Sequence, residues 1–357
     1  MRILALLTDG FGATGGIARY NRDLMTALSQ SAGVSEICVL PRFAASSLTM
    51  PSKLRQLAPS PTRAAWVVRA LALAGRHRFD AVFCGHLNAA PLAAMIARLQ
   101  GVPLWAQVHG IEAWQPRAAV YRRSLAVAAL VTSVSRYTRA RLLAWTDVAP
   151  HRVRVLPNTL PSGYVPRRKR SELVARHGLA DRCVILTVGR LSARERYKGH
   201  DRIIAALPGI LASVPDAAYL IVGSGDDRPR LEQMARDAGV ADRLVFAGHV
   251  ADEELPDYFA LADVFAMPST GEGFGIAFLE AAASGLPVIG GNRDGSVDAL
   301  ADGRFGRLVD PLSLKEIEGA VVDALQGRQP ARAAEVQRLS FTHFASHVDA
   351  LVHGLGH

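Results

Sequence analysis

Two glutamates with seven residues between them bracket the segment richest in chemistry: Glu272-Gly273-Phe274-Gly275-Ile276-Ala277-Phe278-Leu279-Glu280. The first carboxylate precedes a glycine-bearing turn whose amides can face an anion. The helix starting there carries the second carboxylate about two turns in. Carboxylates so placed can accept hydrogen bonds from sugar hydroxyls on either side of a bound diphosphate. Glu272 and Glu280 alone would suit an exposed loop and a helix face; the Gly-Phe-Gly between them argues for a site.

Upstream, Val188-Gly189-Arg190 ends an apolar run, and Lys198-Gly199 follows eight residues later at a helix start. Arginine offers a planar fork of donors and lysine a point charge, a pair suited to a departing diphosphate. Near the amino terminus, Gly10-Phe11-Gly12-Ala13-Thr14-Gly15 fits the dinucleotide fingerprint GxGxxG. No acidic residue closes the second strand, but Arg42 stands there and suits a 2′-phosphate, so an NADP-dependent oxidoreductase remains a rival. The same glycines also fit a tight strand-to-helix turn, or a place where backbone at Gly15-Gly16 meets a phosphate. His109, alone at a strand end, suits a structural histidine as well as a functional one, and Glu112 suits a helix-cap carboxylate.

These residues require rigid strand ends to hold them. Short apolar runs at 2–8, 36–40, 81–84, 104–108, 130–133 and 153–156 alternate with helical stretches, as do runs at 183–188, 218–222, 244–246, 264–267 and 287–289. Strands alternating with helices predict parallel sheets covered on both faces, hence an α/β chain of two doubly wound, Rossmann-like domains. Such domains bind ligands at the carboxyl ends of their strands. Prolines at 157–166 and the basic run Arg167-Arg168-Lys169-Arg170 mark the connection. The expected organisation is an amino-terminal domain over 1–160, a second domain over 161–338, and a terminal helix within 339–357 that packs back on the first.

At 357 residues, half of them apolar and 20% charged, the chain is a globular protein with room for two cores. Cys38, Cys84 and Cys183 each lie in an apolar run, without metal or disulfide spacing, so buried reduced thiols and a cytoplasmic setting are expected. No apolar stretch reaches the ~20 residues that span a bilayer, and the amino terminus reaches Asp9 too early for a secretory signal. Residues 1–170 carry 23 Lys and Arg against 6 Asp and Glu, while residues 171–357 carry 18 against 26. A basic half joined to an acidic half predicts contact with a polyanion. Nucleic acid is disfavoured, because no reading module is present and only 6% of residues are aromatic.

Taken in order, Gly15-Gly16-Ile17, His109-Gly110-Ile111-Glu112, Ser133-Val134-Ser135, Pro157-Asn158, Arg190, Lys198, Ile221-Val222-Gly223-Ser224-Gly225 and Pro268-Ser269-Thr270-Gly271-Glu272-Gly273-Phe274-Gly275 run nearly the whole chain. This ordered set resembles the retaining glycosyltransferases of family 4, including those of bacterial surface-polysaccharide synthesis. The resemblance implies the GT-B fold, in which two Rossmann-like domains face a central cleft, and transfer of a hexose from a nucleoside-diphosphate sugar to an acceptor hydroxyl. It implies that Arg190 and Lys198 bind the diphosphate and stabilise it as it leaves. Glu280 is implied at the ribose hydroxyls, and Glu272 with the amides of Phe274, Gly275 and Ile276 at the donor sugar and phosphates. His109 would lie near the anomeric centre, Gly248, His249 and Val250 along the nucleobase, and Gly16 against phosphate or acceptor.

Same-face attack with retained configuration is the mechanism the resemblance implies. No Asp-x-Asp follows a strand, so no metal and no cofactor are expected, the two cations doing the neutralising. GDP-mannose, or a UDP sugar of the glucose type, is the expected donor, and a saccharide or polyprenyl-diphosphate-linked sugar the expected acceptor. The basic stretch from Lys53 to Arg78, with Trp66, and the patch of Arg117, Tyr121, Arg122 and Arg123 suit an anionic membrane surface. They suit an ordinary arginine-rich surface too. A GT-B nucleotide-sugar epimerase or a phosphorylase is also compatible with the residues, whereas intact Arg190, Lys198, Glu272 and Glu280 argue against a non-catalytic sugar-binding module.

Overall fold

The computed structural model describes residues 1–13, 15–43, 50–327 and 333–355. The chain divides into two units: Met1–Thr159 together with Leu339–His357, and Leu160–Arg338. The first is built on β1 (Arg2–Asp9), β2 (Glu36–Phe43), β3 (Leu54–Gln56), β4 (Ala81–Cys84), β5 (Leu104–Val108), β6 (Leu130–Ser133) and β7 (Val153–Val155). These form one parallel sheet in the order β3-β2-β1-β4-β5-β6-β7. Ile3 to Leu7 are all within 2% of full burial, because helices cover both faces and every side chain of a central strand meets apolar partners.

The second unit holds β8 (Cys183–Val188), β9 (Ala217–Val222), β10 (Leu244–Gly248), β11 (Val264–Met267), β12 (Val288–Gly291) and β13 (Arg307–Val309). Its sheet is also parallel, in the order β10-β9-β8-β11-β12-β13. In each sheet the strand order reverses beside the first strand, between β1 and β4 and between β8 and β11. Loops leaving such a neighbouring pair part to opposite faces and open a crevice at the strand ends.

The helix Phe341–Leu355 belongs to the first unit. It packs on the helix Gly16–Gln30: Ser31 Oγ donates to Asp349 Oδ1 at 2.6 Å, and the rings of Tyr20 and Phe344 meet edge to face at 5.9 Å.

Several details differ from the sequence-based expectations. β3 and β13 are three-residue edge strands, Leu-Arg-Gln and Arg-Leu-Val, too short and polar to show as apolar runs. Cys38 and Cys84 are buried, but Cys183 is only partly so. Trp66 is buried, with Nε1 donating to the Leu40 carbonyl at 3.2 Å, so it faces the sheet and not the surface. Arg69 is likewise engaged, donating to Ala58, Pro59 and Ser60. The basic run after the connection is paired inside the second unit: Arg167 and Arg170 with Asp257, Lys169 with Asp263. Among the described residues no helix is long and apolar enough to cross a membrane.

Candidate active site

The crevice between β8 and β11 gathers four charges. After β8 the chain runs through Gly189 and Arg190 into a tight turn over Ala193–Lys198, and Gly199, at φ +81°, starts the helix His200–Ser213. The Lys198 stem lies over Gly189, where a Cβ would fall 2.9 Å from Lys198 Cδ. Lys198 Nζ donates to Glu272 Oε1 at 2.5 Å and sits 3.9 Å from Glu195 Oε2. Arg190 pairs with the other oxygen of Glu195. The Lys198, Glu195 and Glu272 side chains are only 12–13% exposed, whereas Arg190 is 78% exposed. A chain of alternating charge results, Arg190–Glu195–Lys198–Glu272, with its open end in solvent.

Glu195 carries no sequence signal of its own; the non-helical backbone of the Ala193–Lys198 turn sets it between the two cations. Tyr197, whose ring lies 5.5 Å from Lys198 Nζ, has its hydroxyl held protonated by burial and by the Glu272 and Glu195 carboxylates.

Glu272 belongs to the loop between β11 and the helix Ile276–Ala283. Gly275 caps that helix at φ +91°, and a Cβ there would sit 2.6 Å from the Phe278 ring. Glycine is therefore required, and the amides of Phe274, Gly275 and Ile276 stand at or just before a helix start, as the sequence predicted. Phe274 is buried at 3% and Glu280 at 5%, the latter on the helix itself. Gly248 ends β10 at φ +75° and bridges Gly223 at the end of β9. His249 is exposed and Val250 buried beside it.

On the first unit, His109 follows β5. Its Nε2 lies 2.8 Å from the Gly85 carbonyl, which can only accept, so Nε2 carries the proton and Nδ1 is left as an acceptor. Burial favours the neutral ring, opposed by the Glu112 carboxylate. Tyr20 meets the ring edge to face at 5.2 Å, and its hydroxyl is fixed by Gln107 Oε1 and the Leu156 carbonyl. Glu112 Oε1 accepts from the His109 amide at 2.5 Å, the capping role considered for it from sequence. Gly16 begins the helix Gly16–Gln30 and is exposed; Thr14 of the glycine motif lies outside the described residues. The guanidinium of Arg42 donates to the Ser60 carbonyl at 2.7 Å and stacks on Phe43 at 4.6 Å, which occupies it without a 2′-phosphate.

Two family models match the chain, "Glycosyltransferase Family 4" over residues 14–161 and "Glycosyl transferases group 1" over residues 169–338. A Mycolicibacterium smegmatis protein is 38% identical over 77% of this chain and 74% of its own length. It is named a GDP-mannose-dependent alpha-(1-6)-phosphatidylinositol monomannoside mannosyltransferase. This chain belongs to glycosyltransferase family 4. A further member, from Corynebacterium glutamicum, is 33% identical over 75% of this chain and 70% of its own length. It is named a GDP-mannose-dependent monoacylated alpha-(1-6)-phosphatidylinositol monomannoside mannosyltransferase. Among solved structures, that of Anabaena Alr3699/HepE with UDP and glucose matches at a TM-score of 0.80, 20% identity and 99% coverage of both chains. The family 4 chain is thus a glycosyltransferase of the GT-B fold, and the oxidoreductase reading of the glycine motif is left without support.

Proposed function

We propose that this enzyme transfers mannose from GDP-mannose, with retention of configuration, to a hydroxyl of a lipid-linked saccharide in the synthesis of a cell-surface glycan. The observation that carries the reading is the buried Lys198 held between Glu195 and Glu272 at the β8/β11 switch point. A cation kept there, with Arg190 beside it in solvent, is preorganised for negative charge developing on a departing diphosphate. The names of the family members at 38% and 33% identity support GDP-mannose as donor and a glycolipid as acceptor.

In the proposed reaction the acceptor oxygen attacks the anomeric carbon from the face the diphosphate leaves. The carbon–oxygen bond to the β-phosphate breaks with its electron pair on the phosphate, and the acceptor proton passes to a phosphate oxygen. Arg190 and Lys198 neutralise that leaving group; Glu280 accepts from the ribose hydroxyls; Glu272, with the Phe274, Gly275 and Ile276 amides, orients sugar and phosphates. His109 presents Nδ1 as an acceptor to a sugar hydroxyl. Gly248, His249 and Val250 line the base, and Gly16 approaches phosphate or acceptor. No metal or other cofactor takes part.

We place the first unit against an anionic membrane surface. Its helices Arg63–Arg76, Ala90–Gln100 and Ala119–Ala126 pack side by side over one buried cluster, exposing Val68, Leu99 and Val120 among Arg76, Arg98, Arg122 and Arg123. Incubation with GDP-mannose, UDP-glucose or neither, plus a phosphatidylinositol mannoside and excess chelator, tests the reaction. A mannosylated lipid with an α-linkage by NMR is expected. An inverted linkage, chelator sensitivity, or sugar released without acceptor would each refute the corresponding part.

A further inference from the structure

Asp294 is a fully buried carboxylate, 1% exposed, to which the reaction as proposed gives no part. It lies in the loop after β12, just before the short helix Ser296–Ala299. Its Oδ2 accepts from the Glu272 backbone N–H at 2.7 Å and from Ser269 Oγ at 2.8 Å. Its Oδ1 accepts from the Ser296 N–H at 2.9 Å, and Ser296 Oγ is 2.9 Å from Ser269 Oγ. The clamp is reciprocal, since the Gly295 N–H donates to the Glu272 carbonyl at 2.8 Å.

The two loops touch backbone to backbone. A Cβ on Gly295 would fall 2.0 Å from the Gly273 carbonyl oxygen, and one on Gly291 2.0 Å from that of Ser269. The stretch from Pro268 to Gly275 has no strand or helix of its own, so its shape is set by what it leans on. One carboxylate serves as the hub, and removing it strands buried donors, a costly arrangement. The residue so held is Glu272, the partner of Lys198.

Resting on the donor-site reading above, we propose that Asp294 is the positioning residue that sets Glu272, and through it Lys198, for the donor diphosphate, so that donor affinity depends on Asp294 being ionised. Glu272 and Ser269 from one loop bond it, Tyr197 from the turn before Gly199 is near enough for its hydroxyl to feel the charge, and Arg293 precedes it in the chain. Arg293 donates to Asp310 at 2.7 Å rather than to Asp294. Burial pushes its carboxyl up to about 6, against the hydrogen bonds from Ser296, Glu272 and Ser269 that favour the charged form. Protonation at Oδ2 would remove the acceptor from the Glu272 amide.

Calorimetric titration of GDP-mannose from pH 8 to pH 5 tests this, because its diphosphate diester has no group titrating near pH 6. The wild type is expected to lose affinity as pH falls through about 6. Asp294→Asn should bind at least tenfold more weakly at pH 8 and show no further loss down to pH 5. Ser269→Ala removes one bond that stabilises the carboxylate, so its affinity loss should begin at a higher pH than in the wild type. That variant serves also if Asp294→Asn does not fold, as judged by circular dichroism. Wild-type affinity in Asp294→Asn, or an unmoved pH profile in Ser269→Ala, overturns the positioning role. A wild type that ignores GDP-mannose at every pH overturns the donor-site reading itself, and this proposal with it.

Discussion

Lys198 Nζ lies 2.5 Å from Glu272 Oε1, joining the ends of two loops that leave neighbouring strands of one sheet, β8 and β11. The two residues are separated by 74 positions in sequence, and the switch in strand order brings them together. Their charges cancel, as do those of Arg190 and Glu195, so this chain of four charges is neutral as a set. On the proposed reading, a diphosphate entering there meets one buried cation and one exposed one, each already paired with a carboxylate that limits how tightly the ground state is held.

Gly275→Ala should cost both stability and donor affinity. At φ +91° an L side chain is strained, and its Cβ would press on the Phe278 ring at 2.6 Å. Strain of this kind costs about 1–3 kcal/mol, and at roughly 2–4 °C per kcal/mol melting should fall by several degrees. Thermal melting with and without GDP-mannose checks it: the variant should melt lower and gain less from the ligand. A variant matching the wild type in both would show that the loop tolerates a side chain.

What the sequence shows of this arrangement depends on the kind of signal each residue leaves. Central strands such as β4, β5, β6, β8 and β11 are buried on both faces, so their apolar runs carry their own boundaries. The edge strands β3 and β13 are held by one neighbour each and leave almost no composition signal. Glu272, Arg190 and Lys198 stood out through local glycines and spacing. Glu195 and Asp294 did not: Glu195 sits among Arg194, Arg196 and Lys198 in a charged stretch with nothing to single it out, and the partners of Asp294, Ser269 and Glu272, come from the loop after another strand. An arginine-rich helix with one tryptophan does not reveal which way the ring points; Trp66, expected at the membrane-facing side, points to the sheet.

His109 should matter for transfer and not for the nucleotide. With Nε2–H committed to the Gly85 carbonyl, the neutral ring offers Nδ1 as an acceptor. His109→Phe is expected to lower kcat/KM by roughly 10²-fold or more, the size of a lost positioned polar contact, with GDP affinity within twofold of the wild type. Steady-state kinetics beside GDP titration separates the two. Full transfer in the Phe variant would reduce His109 to a structural residue.

His200 gives the fold a sensitivity to acid. It is 4% exposed, its Nε2 has no partner among the described residues, and burial, then Lys198, pushes it down to about 4. The unfolded histidine titrates near 6.5, so the unfolded state takes up a proton first, and this contribution to stability is lost as pH falls from about 6.5 towards 4. Complete titration amounts to roughly 3 kcal/mol. Asp294 acts with the opposite sign: raised to about 6, it costs stability as pH rises from about 4 to 6. Denaturant unfolding of wild type and His200→Leu at pH 7.5 and pH 4.5 should show the gap between them shifting in favour of the Leu variant at low pH. An unchanged gap would mean that His200 is solvated or paired.

Membrane docking should follow charge and salt. Phosphatidylglycerol vesicles are expected to sediment the protein at 0.1 M salt and release it at 1 M, where the Debye length falls from about 10 Å to about 3 Å. Replacing Arg76, Arg122 and Arg123 by Ser should weaken binding while leaving transfer to a soluble acceptor intact. Arg69, tied to Ala58 and Ser60, should contribute little. A protein that does not sediment with anionic vesicles at low salt contradicts the docking proposal.

Calorimetric titration of GDP-mannose into the wild type and Lys198→Met at pH 8 measures directly what the buried cation contributes to donor binding. Methionine keeps the stem that packs over Gly189 and removes the charge, leaving Glu272 without its cation. One saturable site is expected in the wild type and, in the variant, affinity weakened by roughly 10²-fold, in line with the ~2–4 kcal/mol lost when one partner of a desolvated, charge-assisted contact is removed. A wild type that binds NADP and no nucleoside-diphosphate sugar, or a Lys198→Met variant that binds GDP-mannose as tightly as the wild type, would contradict this expectation.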